Sequence, residues 1–225
     1  MIHEYLKWAG IRDSNYDLLL IEKIVSEIKS QTVHHNKSKR VYYSYLVPKL
    51  SEDGTCSLIE ELDSNPYDLS NVLGGRTAAN DRFLGELDTL LVSINNQVKA
   101  GWIGIYKRFD STSDSKLVKL VYQGIPSRAE FPLTKEFAAN SNNSTVGMTG
   151  KAVIIQDVSS YLKKGGPYYK CDGKVNSEAC LPVFNKNFSK VIGIIDAESH
   201  ESNFFNKEKI ARLIALCIIL ENLLV

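Results

Sequence analysis

Long hydrophobic runs are missing from this chain. The longest, Leu213 to Leu220, is far short of the ~20 apolar residues that a membrane helix needs, so no membrane span is expected. Cysteine is scarce. The four, Cys56, Cys171, Cys180 and Cys217, are irregularly spaced and form no CxxC, which argues against a structural zinc site. The opening residues include His3, Glu4 and Lys7 and do not form a signal peptide, so the thiols are expected to be reduced and the chain cytoplasmic. Neither sign of charge is in excess, with 27 Lys and Arg against 26 Asp and Glu, well mixed along the chain. No basic block points to nucleic acid. His34 and His35 stand together in a polar stretch without two further ligands nearby, so no metal is expected. Gly74-Gly75-Arg76 lacks the Lys-Ser/Thr ending of a phosphate loop.

What is present is an ordinary globular composition, 44% hydrophobic over 225 residues, enough for one large domain or a domain with an extension. Leu18, Leu19, Ile21, Ile24, Val25 and Ile28 recur at spacings of three and four and predict a helix over 14–31, capped by Ser14 or Asn15. Val41 to Val47 has strand character, and residues 50–80 are rich in Ser, Asp, Asn and Gly and expected to be irregular. Phe83, Leu87, Leu90, Leu91, Ile94 and Val98 place a second helix over 80–99. The period then changes. Segments 101–109, 116–122, 152–158, 178–184 and 190–198 are strand-like, and 205–225 closes as a helix with Asn203 or Asn206 as its cap. Helix, sheet, helix in this order predicts an antiparallel sheet with terminal helices packed on one face, an α/β arrangement of the α+β kind.

Residues i and i+2 of a strand share a face. Trp102, Gly104 and Tyr106 therefore lie together, as do Asp196 and Glu198, and Glu178 and Cys180. Two aromatics and three carboxylates can line a pocket for an amino group or another small cation. The plainer alternative is a solvated sheet face, where polar residues need no function. Against it, acids are unusual in strands and Trp102 in water would waste apolar area.

At Cys171 the string Cys171-Asp172-Gly173-Lys174-Val175-Asn176-Ser177-Glu178, followed by Leu181-Pro182, resembles without a gap the C-D-x-x-x-N-S-E-x-x-L-P signature of free methionine-(R)-sulfoxide reductases, which are GAF-fold enzymes. Gly101-Trp102-Ile103-Gly104-Ile105-Tyr106 is similar to that family's N-W-x-G-F-Y strand. Gln123-Gly124 and Pro132, Gly150-Lys151-Ala152-Val153, Asp157-Val158 and Gly193-Ile194-Ile195-Asp196-Ala197-Glu198-Ser199 resemble further segments in the same order. The resemblance covers roughly residues 83–215. It implies a GAF domain over 81–225, preceded by a helix and an irregular extension over 1–80. It also implies roles. Cys171 would attack the sulfoxide sulfur, with Asp172 beside it. Trp102 and Tyr106 would surround the methyl sulfoxide, and Glu178, Asp196 and Glu198 would hold the amino group and supply protons. A buried carboxylic acid can protonate the sulfoxide oxygen, and the attacking thiol must be a thiolate. No cofactor is implied, only an external thiol reductant such as thioredoxin.

The chain departs from the family at two points that matter. Two further family cysteines are replaced by Arg128 and Thr149, neither of which can resolve a sulfenic acid on Cys171. The loop from Ser159 to Lys170 is also longer than usual in the family. Two readings stay open. One is a reductase resolved by Cys180, two residues from Glu178, or by an external thiol. The other is a small-molecule-binding or regulatory GAF module without turnover. Cys217, among Leu216, Ile218 and Ile219, has the character of a core residue, and Cys56 that of a surface one. A homodimer through terminal helices is expected by family analogy.

Overall fold

The computed structural model describes residues 1–32, 42–50, 61–112, 114–168 and 172–224. Cys171, Cys56 and the His34–His35 pair lie outside the described residues.

The chain opens with a helix that the periodicity argument passed over, α1 (Ile2–Ala9). Ile2, Tyr5, Leu6 and Ala9 follow helical spacing, but over eight residues and with no capping side chain at Met1 the pattern is faint. Gly10 ends α1 in the left-handed conformation, at φ 72°. A 3₁₀ turn (Asp13–Asn15) leads to α2 (Leu18–Thr32). This helix begins later than expected because Asp17, not Ser14 or Asn15, takes the cap role. Its Oδ1 accepts the Leu20 N–H at 3.2 Å.

The strand expected over 41–47 shrinks to β1 (Ser44–Tyr45). It pairs antiparallel with β2 (Tyr67–Asp68), inside the stretch expected to be irregular, and α3 (Ser70–Leu73) follows. Thr77 Oγ1 accepts the Asn80 N–H and starts α4 (Ala78–Val98). Leu84, Leu87, Leu91, Ile94 and Val98 of α4 recur at three and four and are all buried. Each such side chain contributes about 1.5–3 kcal/mol relative to exposure.

Then come β3 (Trp102–Asp110), β4 (Ser115–Gln123) and a short β5 (Glu130–Pro132). Next are α5 (Lys135–Ala138), α6 (Asn142–Thr149), β6 (Val153–Ile155) and α7 (Val158–Lys163). The chain finishes with β7 (Ser177–Phe184), β8 (Val191–Ser199) and α8 (Lys207–Leu220). The strand expected over 152–158 is cut short at Ile155. Asp157 Oδ1 accepts the Ser160 N–H at 2.6 Å and turns the chain into α7 instead. Asn206 caps α8.

Six strands form one antiparallel sheet in the order β5-β4-β3-β8-β7-β6. The helices α2, α4 and α8 pack together, with α4 and α8 against the sheet, as expected for terminal helices on one face. The other face is crossed by α6, which reaches β5, β7 and β8. One hydrophobic core runs from Tyr5 to Leu224 and includes Tyr43, Tyr45 and Leu69 of the segment before α4.

Candidate functional site

Strand register builds the site. Trp102 of β3 stands opposite Glu198 of β8, and Glu198 stands opposite Glu178 of β7. The next row is Gly104, Asp196 and Cys180. Trp102, Glu178, Asp196 and Glu198 thus share the sheet face that α6 covers, with Tyr106 two residues along from Gly104. Trp102, Tyr106, Glu178, Asp196 and Glu198 all line one small cavity, of about 20 Å³. Cys180 is fully buried and does not line it.

Two glycines make room for the tryptophan. The Trp102 ring lies over Gly104, where an added Cβ would sit 2.5 Å from Trp102 Cη2. Gly124 has φ +123°, and a Cβ there would meet Trp102 Cδ1 at 2.6 Å. The ring is also tied by its N–H, which donates to the Ile125 carbonyl at 3.1 Å. Tyr106 donates its hydroxyl to the Arg128 carbonyl at 3.3 Å. Both bonds hold the 125–128 loop, whose Ser127 and Arg128 form another wall of the cavity.

The opposite wall was not anticipated. Ser141 caps α6, and the first two residues of that helix aim their side-chain amides at the acids. Asn142 donates to Glu178 Oε1 at 3.3 Å, and Asn143 donates to Asp196 Oδ2 at 3.0 Å. Tyr161 donates its hydroxyl to Asn142 Oδ1 at 3.1 Å. Tyr168 hydrogen-bonds Glu178 directly. Both tyrosines come from the segment that is longer than usual. In sequence, Asn142 and Asn143 lie in a Ser/Asn-rich run that resembles a loop, so only the Ser141 cap could have signalled them.

The electrostatics follow from burial. Asp196 is raised to about 7 by burial, opposed by the hydrogen bond from Asn143 and then by the Ala197 backbone. Its Oδ1 is buried with no hydrogen-bond partner among the described residues. Burial, and then the charges of Asp196 and Glu198, push Glu178 well above the usual carboxylate range. Burial, then the charges of Glu178, Glu198 and Asp196, push the Tyr168 phenol up as well. Near neutral pH the cluster therefore holds protons between its members. It can give one to a bound oxygen or keep enough charge to hold an ammonium group. Burial, then the charges of Asp196 and Glu178, push the Cys180 thiol well above its ordinary value, so it stays protonated.

Asp172 lies apart from the cavity lining. Its Oδ1 accepts the Lys174 N–H at 2.8 Å and its Oδ2 meets His200 Nε2 at 2.9 Å, a contact that no sequence argument anticipated. Thr149 donates its hydroxyl to the Thr145 carbonyl within α6. Among the described residues no cluster of His, Cys, Asp and Glu is disposed to hold a metal ion, and no helix is long and apolar enough to cross a membrane.

No protein-family model matches the chain, and no curated protein matches it. Solved structures do. A type II free methionine-R-sulfoxide reductase from Thermoplasma acidophilum superposes with a TM-score of 0.54 at 21% identity, over 64% of this chain and 94% of that one. The free methionine-R-sulfoxide reductase from Neisseria meningitidis, solved with its substrate, gives 0.53 at 22%, over 69% and 83%. A GAF sensor protein from Burkholderia vietnamiensis gives 0.54 at 17%, over 92% and 91%. The chain has the fold that GAF domains and free methionine-R-sulfoxide reductases share.

Proposed function

We propose that the chain is a reductase of free methionine-(R)-sulfoxide, or of a similarly small sulfoxide bearing an amino group, with Cys171 as its nucleophile. The observation that carries this reading is the row of Trp102, Glu198 and Glu178, joined by Asp196, in one buried cavity. An aromatic wall suits the methyl end of such a ligand, and the acids suit its ammonium. The motif at Cys171 supplies the thiol.

In this reading the Cys171 thiolate attacks the sulfoxide sulfur while an acid of the cluster protonates the oxygen. The oxygen passes to the cysteine as a sulfenic acid and the sulfide leaves, so sulfur of the substrate is reduced and the thiol oxidised. Two thiols then reduce the sulfenic acid, releasing water and a disulfide. An external, cytoplasmic thiol reductant is favoured for that step, because Cys180 is buried with its thiol pushed up and Arg128 and Thr149 occupy the other family positions. That same replacement favours a second reading, a GAF module that binds the amino acid without turnover.

The test is incubation with free methionine-(R)-sulfoxide and dithiothreitol, with methionine as the readout. Methionine formed by the parent and abolished in Cys171→Ser supports the reductase. A melting shift with the sulfoxide but no methionine supports the binding module. Absence of both methionine and a melting shift rejects both readings.

A further inference from the structure

Lys119 is fully buried, although it lies on a strand whose neighbours are mostly apolar. Its ammonium donates to the Ser127 carbonyl and to Ser127 Oγ, each at 2.7 Å. It also stands over three aromatic rings, 4.0 Å from the centroid of Tyr122, 4.9 Å from Tyr45 and 5.8 Å from Trp102. A buried ammonium is stabilised only by such partners, and π faces are among them. The three rings belong to three different parts of the chain. Trp102 is the wall of the candidate site, Tyr122 is on β4, and Tyr45 comes from β1, before the region of resemblance.

Tyr45 is itself locked in place. Its hydroxyl donates to the Lys119 carbonyl at 2.6 Å, and its ring stacks on Tyr67 at 5.5 Å. Tyr67 in turn donates to Glu130, next to the loop that carries Ser127 and Arg128. The backbone N–H of Lys119 donates to the Ala129 carbonyl at 2.8 Å on the same loop.

We propose that Lys119 is a positioning residue of the candidate site, and that through its aromatic cage the β1 segment is a working part of the ligand cavity. This rests on the reading of that cavity as the ligand site. The ammonium binds the loop on one side and the rings on the other, so it fixes Ser127 and Trp102 relative to each other. The cage also has a consequence for the ligand. Its cation-binding faces are filled by the protein's own ammonium, which directs a ligand ammonium to Glu178, Asp196 and Glu198.

The chain has two tryptophans, Trp8 and Trp102, so Trp8→Phe leaves Trp102 as a single reporter. In that background Lys119→Met keeps the length of the side chain and removes its charge. Acrylamide quenching of Trp102 is expected to rise severalfold in the ligand-free protein. The Kd for L-methionine, used as the probe, is expected to rise about tenfold. Tyr45→Leu should move both in the same direction, whereas Ile24→Val, a buried change in α2 away from the site, should move neither. A folded Lys119→Met protein with unchanged quenching overturns the proposal. If Lys119→Met does not fold, Ser127→Ala and Tyr45→Leu decide, and unchanged quenching in both overturns it. If the parent neither binds methionine nor reduces its (R)-sulfoxide, the functional reading falls, while the quenching still decides the role of Lys119.

Discussion

Asn143 donates its side-chain amide to Asp196 Oδ2 at 3.0 Å, and the other oxygen of that carboxylate has no partner among the described residues. One hydrogen bond on one oxygen is poor compensation for burying a charge, and burial accordingly raises Asp196 from 3.8 to about 7. Between these values the folded protein keeps a proton that the unfolded chain has released. Stability therefore falls as pH rises through this window and levels off above about 7. Asp196→Asn keeps the bond to Asn143 and removes the charge. It is expected to melt several degrees above the parent at pH 8, where about 2–4 °C corresponds to 1 kcal/mol in a chain of this size. At pH 4 the two should melt alike. Calorimetry at both values checks this, and an equal effect at both pH values would count against a buried, proton-holding Asp196.

Gly104 is the floor beneath Trp102. Gly104→Ala drives a methyl into the ring and is expected to cost about 1–3 kcal/mol through overpacking, since the ring must leave its position. Near-UV circular dichroism should report the moved tryptophan, and methionine binding should weaken with it. Unchanged spectra and affinity would mean that the ring has slack to spare.

Tyr168 reaches Glu178 from the long segment before Cys171. Tyr168→Phe removes one hydrogen bond, an effect of about 1 kcal/mol. Because that bond stabilises the ionised carboxylate, its loss should push Glu178 further up. Carboxyl chemical shifts followed against pH would measure the change. No movement of the Glu178 resonance would place the phenol outside the cluster's electrostatics.

In the proposed reductase, Cys180 bears on how the thiol of Cys171 would be recycled. If the reductant is external, Cys180→Val should retain turnover with dithiothreitol within about twofold, with a stability change below about 1.5 kcal/mol. Peptide mapping after sulfoxide treatment should find no Cys171–Cys180 disulfide. Finding that disulfide, with turnover lost in the variant, would restore Cys180 as the resolving thiol.

The site's acids and its tryptophan were legible in the sequence because they lie on three strands of strict alternation. Trp102, Gly104 and Tyr106 keep period two, as do Asp196 with Glu198 and Glu178 with Cys180. Lys119 was not legible, for a definable reason. Tyr122 and Lys119 are three apart, so alternation assigns them to opposite faces. A register shift between Ile105 and Tyr106 leaves Tyr122 opposite Gly104 and Lys119 opposite Tyr106, which brings both to the site. Asn142 and Asn143 were hidden differently, since polar side chains at the start of a short helix have the composition of a loop. In the fold, α4 and α8 were plain from their long apolar stripes. The two-residue β2 and the three-residue β5 are too short to show any period.

The row of Trp102, Glu198 and Glu178 crosses three neighbouring strands, β3, β8 and β7. Strands in a sheet stand about 4.8 Å apart, so the row is a ruler about 10 Å long from the aromatic end to the farthest acid. Its graduations are set by backbone hydrogen bonds and do not stretch. In the proposed reading, a ligand is measured against it by the distance between its apolar tip and its cation. In that reading a side chain of a few bonds with a free amine spans it, and Asn142 is bonded to the acid at its far end.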